Sequence, residues 1–182
     1  LFTVRVYFKK SMIKPRFLAN LINLYRFFRS HISGFKIIKN EHSKPDLLHV
    51  HVLTRCGIIA LIYKIFTGVP YAITEHWTRY LPNTDSYYGG LRKWLTRIVV
   101  KHAGAVMPVT ANLRDAMIAK GLKNKNYIVI PNVVDVEKFK PAPKVYDPNK
   151  KSLVHLSCFT DKQKNISGIL RIMKKLSEKR DD

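Results

Sequence analysis

Hydrophobic and polar positions along the chain switch repeatedly between a period near two and a period near three and a half. Residues 3–8 (Thr-Val-Arg-Val-Tyr-Phe) alternate as a strand would, and Lys9-Lys10 end the run. Pro15 suits a first helical turn, and Phe17, Leu18, Leu21, Leu24, Tyr25 and Phe28 then recur at helical spacing, with Arg16, Arg26 and Arg29 off the stripe. That predicts a basic amphipathic helix whose apolar face packs on a sheet, in preference to docking on a membrane. The core of 45–52 reads as a strand. Residues 57–66 form a helix apolar nearly all round, hence buried, and 71–74 form another strand. Residues 79–90 are a long loop of the sort that often carries function. A helix follows in which Leu91, Trp94, Leu95, Ile98 and Val99 share one face. After it come a strand at 105–109 and a helix at 113–120, capped by Thr110 or Asn112 and closed by Gly121. Tyr127-Ile128-Val129-Ile130 has the composition of a buried strand, and Pro131 stops it. Prolines and lysines without apolar periodicity mark 141–152 as a linker. Beyond it, 153–157 predicts a strand and Asn165 starts a last helix.

Strands alternating with helices predict an α/β fold, a Rossmann-like parallel sheet with helices on both faces. Right-handed crossovers bring the strand carboxyl ends to one edge, where open parallel sheets bind ligands. That edge collects His51, Glu75, His76, Thr110 and Asn132. The corner after 127–130 is then either a ligand-facing turn or a bare exit to the linker. Domain 1–140 is complete enough to hold a core. The strand and helix of 153–182 are too short for one, and are expected to be the first βα unit of a truncated second domain. Residue 1 is Leu, so the true N-terminus is expected to lie upstream.

The formal charge of +21 is spread along the chain. Nucleic acid, an anionic membrane and phosphate-bearing substrates are its candidate partners. No zinc finger, RNP-like signature or arginine-rich arm is present, so no specific nucleic acid is expected. The longest apolar run, 56–63, cannot span a bilayer. Cys56 and Cys158 belong to no metal-type cluster and are expected to be buried, reduced thiols of a cytoplasmic protein. His49 and His51 share a strand face but lack further ligands, so no metal is expected.

Taken in order, PDLLHVH, GVPYAITEHW, AVMPVTANLRDAM, YIVIPNVVDVEKFKP and HLSCFTDKQKNISGIL resemble the family-4 glycosyltransferases of the GT-B fold. The resemblance implies two Rossmann-like domains around a cleft, the first for the acceptor and the second for a nucleotide-sugar donor. It implies retaining transfer without metal or other cofactor, to a glycan or lipid-linked acceptor in surface polysaccharide or glycolipid synthesis. The family's opening Gly-rich strand–loop and its donor-domain Glu-x7-Glu region have no counterpart in these residues, so the fragment alone is expected to be inactive.

The resemblance also implies roles. His76 matches the first-domain histidine that contacts the transferred sugar, and Glu75 could orient it. His51 is expected to line the cleft mouth, with Thr110 on the same edge. Asn132 and Asp135 match the segment joining the domains, although Val133 stands where the family commonly has Gly. Lys164 and Asn165 open the last helix, where a lysine and a helix tip would hold the donor diphosphate. The arginine usual in the preceding loop is missing, and Lys162 is its stand-in. Peripheral contact with the inner face of the cytoplasmic membrane fits the basic surface. The rival readings are a sucrose- or glycogen-synthase type of enzyme, and a non-enzymatic basic binding module for nucleic acid or an anionic polymer.

Overall fold

β-Branched and aromatic side chains set the centre of the fold. Three strands, β1 (Leu48–His51), β2 (Tyr71–Glu75) and β3 (Ala105–Pro108), lie parallel in the order β1-β2-β3. The register pairs His51 with Thr74 and Ile73 with Val106. Alternation therefore sends Val50, Tyr71, Ile73, Glu75 and Val106 to one face, and His49, His51, Thr74 and Met107 to the other. The computed structural model describes residues 2–84, 86–141 and 152–180, without the side chains of Asn83, Lys162 and Gln163. The chain divides into two units, 1–133 and 134–182.

In the first unit, α2 (Leu53–Thr67) and α3 (Gly90–His102) pack on each other and on the Tyr71–Ile73 face. Leu53, Tyr71, Ile73, Val99, Val100 and Val106 are fully buried there. Each such aliphatic burial is worth about 1.5–3 kcal/mol. The Tyr71 hydroxyl donates to the Val99 carbonyl at 2.5 Å, so the aromatic also ties β2 to α3. Gly57 lets the helices approach: a Cβ there would lie 2.7 Å from Val99 Cγ1. The helix α4 (Ala111–Ala119) adds Leu113 and Met117 to the same core.

Several expectations need correction. Residues 3–8 form no strand. The segment runs beside α1 (Arg16–His42), with Ser11 bonded to Asn23 and Val6 against Gly34. The apolar stripe of α1 is not packed on the sheet: Phe17, Leu21, Leu24 and Tyr25 are exposed, and Ala19 alone is buried. Helix α2 starts four residues before Gly57, and its end, Ile65 and Phe66, is exposed, so it is not buried all round. Residues 127–130 do run along β3, through Ile128 N–H to Val106 O (3.0 Å) and Ile130 N–H to Pro108 O (3.1 Å). They are an outer edge rather than a buried strand, with Ile128 51% exposed. Residues 153–157 form no strand, and Leu153, Val154 and Leu156 are exposed. Both cysteines are exposed rather than buried. The 79–90 loop contains two short 3-10 turns and buries Tyr80 and Tyr87.

Helix α3 is rotated relative to expectation: of the expected face only Val99 is fully buried. Thr96, Val99 and Val100 face the core. The face through Leu91, Trp94, Leu95 and Ile98 points outward. Two apolar stripes lie on one helix, and the β-branched one joins the core shared with α2 and β2.

In the second unit, one-turn α5 (Asp161–Lys164) leads through Asn165, in a left-handed conformation (φ 50°), into α6 (Ile166–Ser177). Among the described residues no helix is long and apolar enough to cross a membrane.

Candidate functional site

The carboxyl end of β2 is built around Glu75. Its side chain lies on the core face and is 0% exposed. Oε2 accepts the backbone N–H of Leu53 at 2.9 Å. Oε1 accepts those of His76 (3.0 Å) and Trp77 (2.9 Å). One carboxylate thus caps the start of α2 and fixes the turn that follows β2. Val52 sits between His51 and Leu53 with φ 69°, which is costly for a β-branched residue. Its own N–H reaches Thr74 O at 3.0 Å, so it is held on both sides. Glu75 therefore acts on the backbone of His76. Among the described residues it makes no hydrogen bond to the His76 ring, so any hold it has on His76 runs through the backbone.

The histidines meet on the opposite face and at the rim. His51 Nδ1 and His76 Nε2 lie 3.3 Å apart, one donating and one accepting, and the rings are stacked at 18°. His49 stands beside His51, with centroids 4.3 Å apart, and its Nε2 is 2.7 Å from Thr74 Oγ1. Partial burial, then the neighbouring His51 and His76, lower the His49 pKa below 6.5. Three imidazoles on one rim offer donors and acceptors suited to sugar hydroxyls. Among the described residues no group of three His, Cys, Asp or Glu side chains could hold a metal.

Below the rim, the Arg79 guanidinium lies 3.8 Å over the Trp77 ring and donates to Thr54 Oγ1 at 3.0 Å. Arg79 Nε and the Tyr80 hydroxyl are buried without a hydrogen-bond partner among the described residues. Burial lowers the Arg79 pKa and raises that of Tyr80.

Thr110, after β3, caps α4: its Oγ1 accepts Leu113 N–H at 3.1 Å. That bond gives it a structural task at the rim. Asn132 is exposed beyond the outer edge. In the second unit, Asp135 Oδ1 accepts the N–H groups of Glu137 and Lys138, both at 3.1 Å, and so closes a local turn. Lys164 ends α5 instead of opening the last helix, and Asn165 makes no side-chain cap bond. The tip of α6 is taken by Asp161, which accepts Ser167 N–H at 2.7 Å and Ser167 Oγ at 2.9 Å. The backbone bond from Ser167, first of all, lowers the Asp161 pKa. The side chain of Lys162 lies outside the described residues.

The sequence profile of Glycosyltransferase Family 4 matches residues 4–138. The chain belongs to this family. Searches among curated proteins and among solved structures returned no match. The profile covers the whole sheet of this family-4 glycosyltransferase and all three histidines of the rim, and stops short of α5 and α6. In the family-4 chain, sequence reasoning named Glu75 but not its burial or its three N–H partners, and it did not single out Val52. Adjacent residues on a strand point to opposite faces, and that rule alone signalled that Glu75 and His76 part company. Nothing in the sequence signals the strained Val52 backbone.

Proposed function

We propose that this family-4 glycosyltransferase is a retaining, metal-independent enzyme that uses no cofactor. It moves a sugar from a nucleotide-sugar to a glycan or lipid-linked acceptor, in surface polysaccharide or glycolipid synthesis at the cytoplasmic face of a membrane. In this reading residues 1–140 form the acceptor-side domain, 141–152 the linker and 153–182 the opening of the donor-side domain. The observation that carries it is the His51–His76 pair at the carboxyl rim, held by a buried carboxylate within a sheet of this family.

His76 hydrogen-bonds a hydroxyl of the transferred sugar. His51, bonded to the same ring, selects which His76 nitrogen carries the proton. Lys164 and Asn165, with Lys162, neutralise the leaving diphosphate, and the α6 tip adds its dipole once the phosphate displaces Asp161. Asn132 and Asp135 shape the passage between the domains.

The test uses the full-length chain carrying the donor domain, with nucleotide-sugars and lipid-linked acceptors, in the presence of a chelator. Product with the donor's anomeric configuration, formed at an undiminished rate, is the expected result. An inverted product, or activity abolished by the chelator and restored by a divalent cation, overturns the reading.

A further inference from the structure

Helix α3 carries a second apolar stripe that the core does not use. Leu91 is 71% and Trp94 58% exposed, and Leu95 and Ile98 are half-buried between them. Beside this stripe runs a groove of about 750 Å³, lined by Trp94, Arg97, Ile98 and Lys101 of α3 and by Lys123 and Lys125 of the turn before the outer edge. No carboxylate lines it. Between residues 86 and 134 the chain carries Arg92, Lys93, Arg97, Lys101, Arg114, Lys120, Lys123 and Lys125 against a single acid, Asp115, which pairs with Arg114 at 2.8 Å.

We propose that this face docks on an anionic lipid bilayer, with Leu91, Trp94 and Ile98 entering the interface and Lys101, Lys123 and Lys125 meeting the headgroups. The proposal rests on the membrane-side reading above and names the surface for it. The pattern is that of a helix lying in the plane of a membrane: apolar and aromatic residues on one stripe, cations at its edge. Tryptophan favours the boundary between headgroup and acyl chain. Each Lys or Arg held near an anionic surface adds about 1 kcal/mol, roughly a fivefold gain. Leucine and isoleucine beside the tryptophan favour hydrocarbon over stacked bases, so a bilayer fits this face better than a nucleic acid. The inward side of the same helix is packed by Thr96, Val99 and Val100, so the stripe is not needed for the core described above.

The experiment is sedimentation of the chain with vesicles of phosphatidylcholine alone or with one quarter phosphatidylglycerol. Binding to the anionic vesicles is expected to exceed that to neutral ones at least tenfold. It should fall at least tenfold in Lys101→Gln/Lys123→Gln/Lys125→Gln, and again in Leu91→Ser/Trp94→Ser. Lys9→Gln/Lys10→Gln/Lys39→Gln removes the same charge elsewhere and should change binding less than twofold, because charges away from the contact are screened within about 10 Å at 0.1 M salt. All variants are exposed, and unchanged unfolding midpoints confirm that each folds. Four results overturn the proposal: equal binding to both vesicles, an equal loss in the control triple, loss only in Leu21→Ser/Leu24→Ser on α1, or binding to a 20-nucleotide RNA with none to vesicles. Inorganic phosphate at millimolar concentration that releases the chain from vesicles also overturns it, since the groove would then be a free-phosphate site. Vesicle binding requires no sugar transfer, so its failure leaves the enzymatic reading standing.

Discussion

Two carboxylates in this chain do the same job in opposite surroundings. Glu75 accepts the first N–H of α2 from outside that helix, and Asp161 accepts an N–H in the first turn of α6 from outside its own. Glu75 is sealed in the core and takes two further N–H groups from the turn after β2. Asp161 is exposed, and its other bond goes to a side-chain hydroxyl. Water can replace Asp161, whereas the bond from Leu53 to Glu75 is buried and those from His76 and Trp77 are part-buried. The lesson is that burial decides which carboxylate is framework and which is exchangeable. The rim histidines stand on the framework one. In the proposed donor site a phosphate takes the place of the exchangeable one.

The largest effect should come from Glu75. In Glu75→Ala the buried N–H of Leu53 and the part-buried N–H groups of His76 and Trp77 lose their acceptor, and loss of about 3 kcal/mol is expected in urea unfolding. Glu75→Gln keeps one acceptor oxygen and should lose less. A loss below about 1 kcal/mol in Glu75→Ala would erase the contrast with Asp161.

Thr110 lies between the two cases, as a helix cap at the surface of the first unit. Thr110→Ala should cost about 1 kcal/mol, and Thr110→Ser much less. For Asp161, Asp161→Asn should leave the unfolding midpoint where it is and raise the affinity for a nucleoside diphosphate severalfold in calorimetry. An unchanged affinity would mean the α6 tip holds no phosphate. The lowered pKa of Asp161 gives its bond to Ser167 a sign: the contribution is present above pH 3.8 and is lost as pH falls through the folded value.

The smallest effect concerns His49, whose pKa lies below 6.5. Between its folded pKa and 6.5 the unfolded chain binds more protons, so stability falls as the pH is lowered through that window. Imidazole titration by NMR should place the His49 midpoint below 6.5, and His49→Gln should flatten the stability profile there.

Much of the scaffold was legible because alternation and helical spacing are direct consequences of burial. The three strands, the caps at Thr110 and Gly121, and the gathering of His51 and Glu75 at one edge all follow from them. What failed did so for physical reasons. Residues 3–8 and 153–157 have strand composition, but among the described residues no neighbouring strand pairs with them. Helix α3 has two apolar stripes, and spacing alone does not say which faces the sheet. The burial of Glu75 depends on N–H groups from two other segments, contacts that no local pattern encodes. Lys164 was expected to open the last helix, but the left-handed Asn165 separates it from α6, a kink that helical spacing does not encode.

The central claim is that His76 meets the transferred sugar at the rim. Its most direct test is steady-state transfer by the full-length chain carrying His76→Ala, with the unfolding midpoint measured in parallel. The account predicts a fall in kcat/KM of about ten- to a hundredfold, the worth of one hydrogen bond made in the transition state, with stability unchanged. A variant that transfers sugar at the original rate would contradict it.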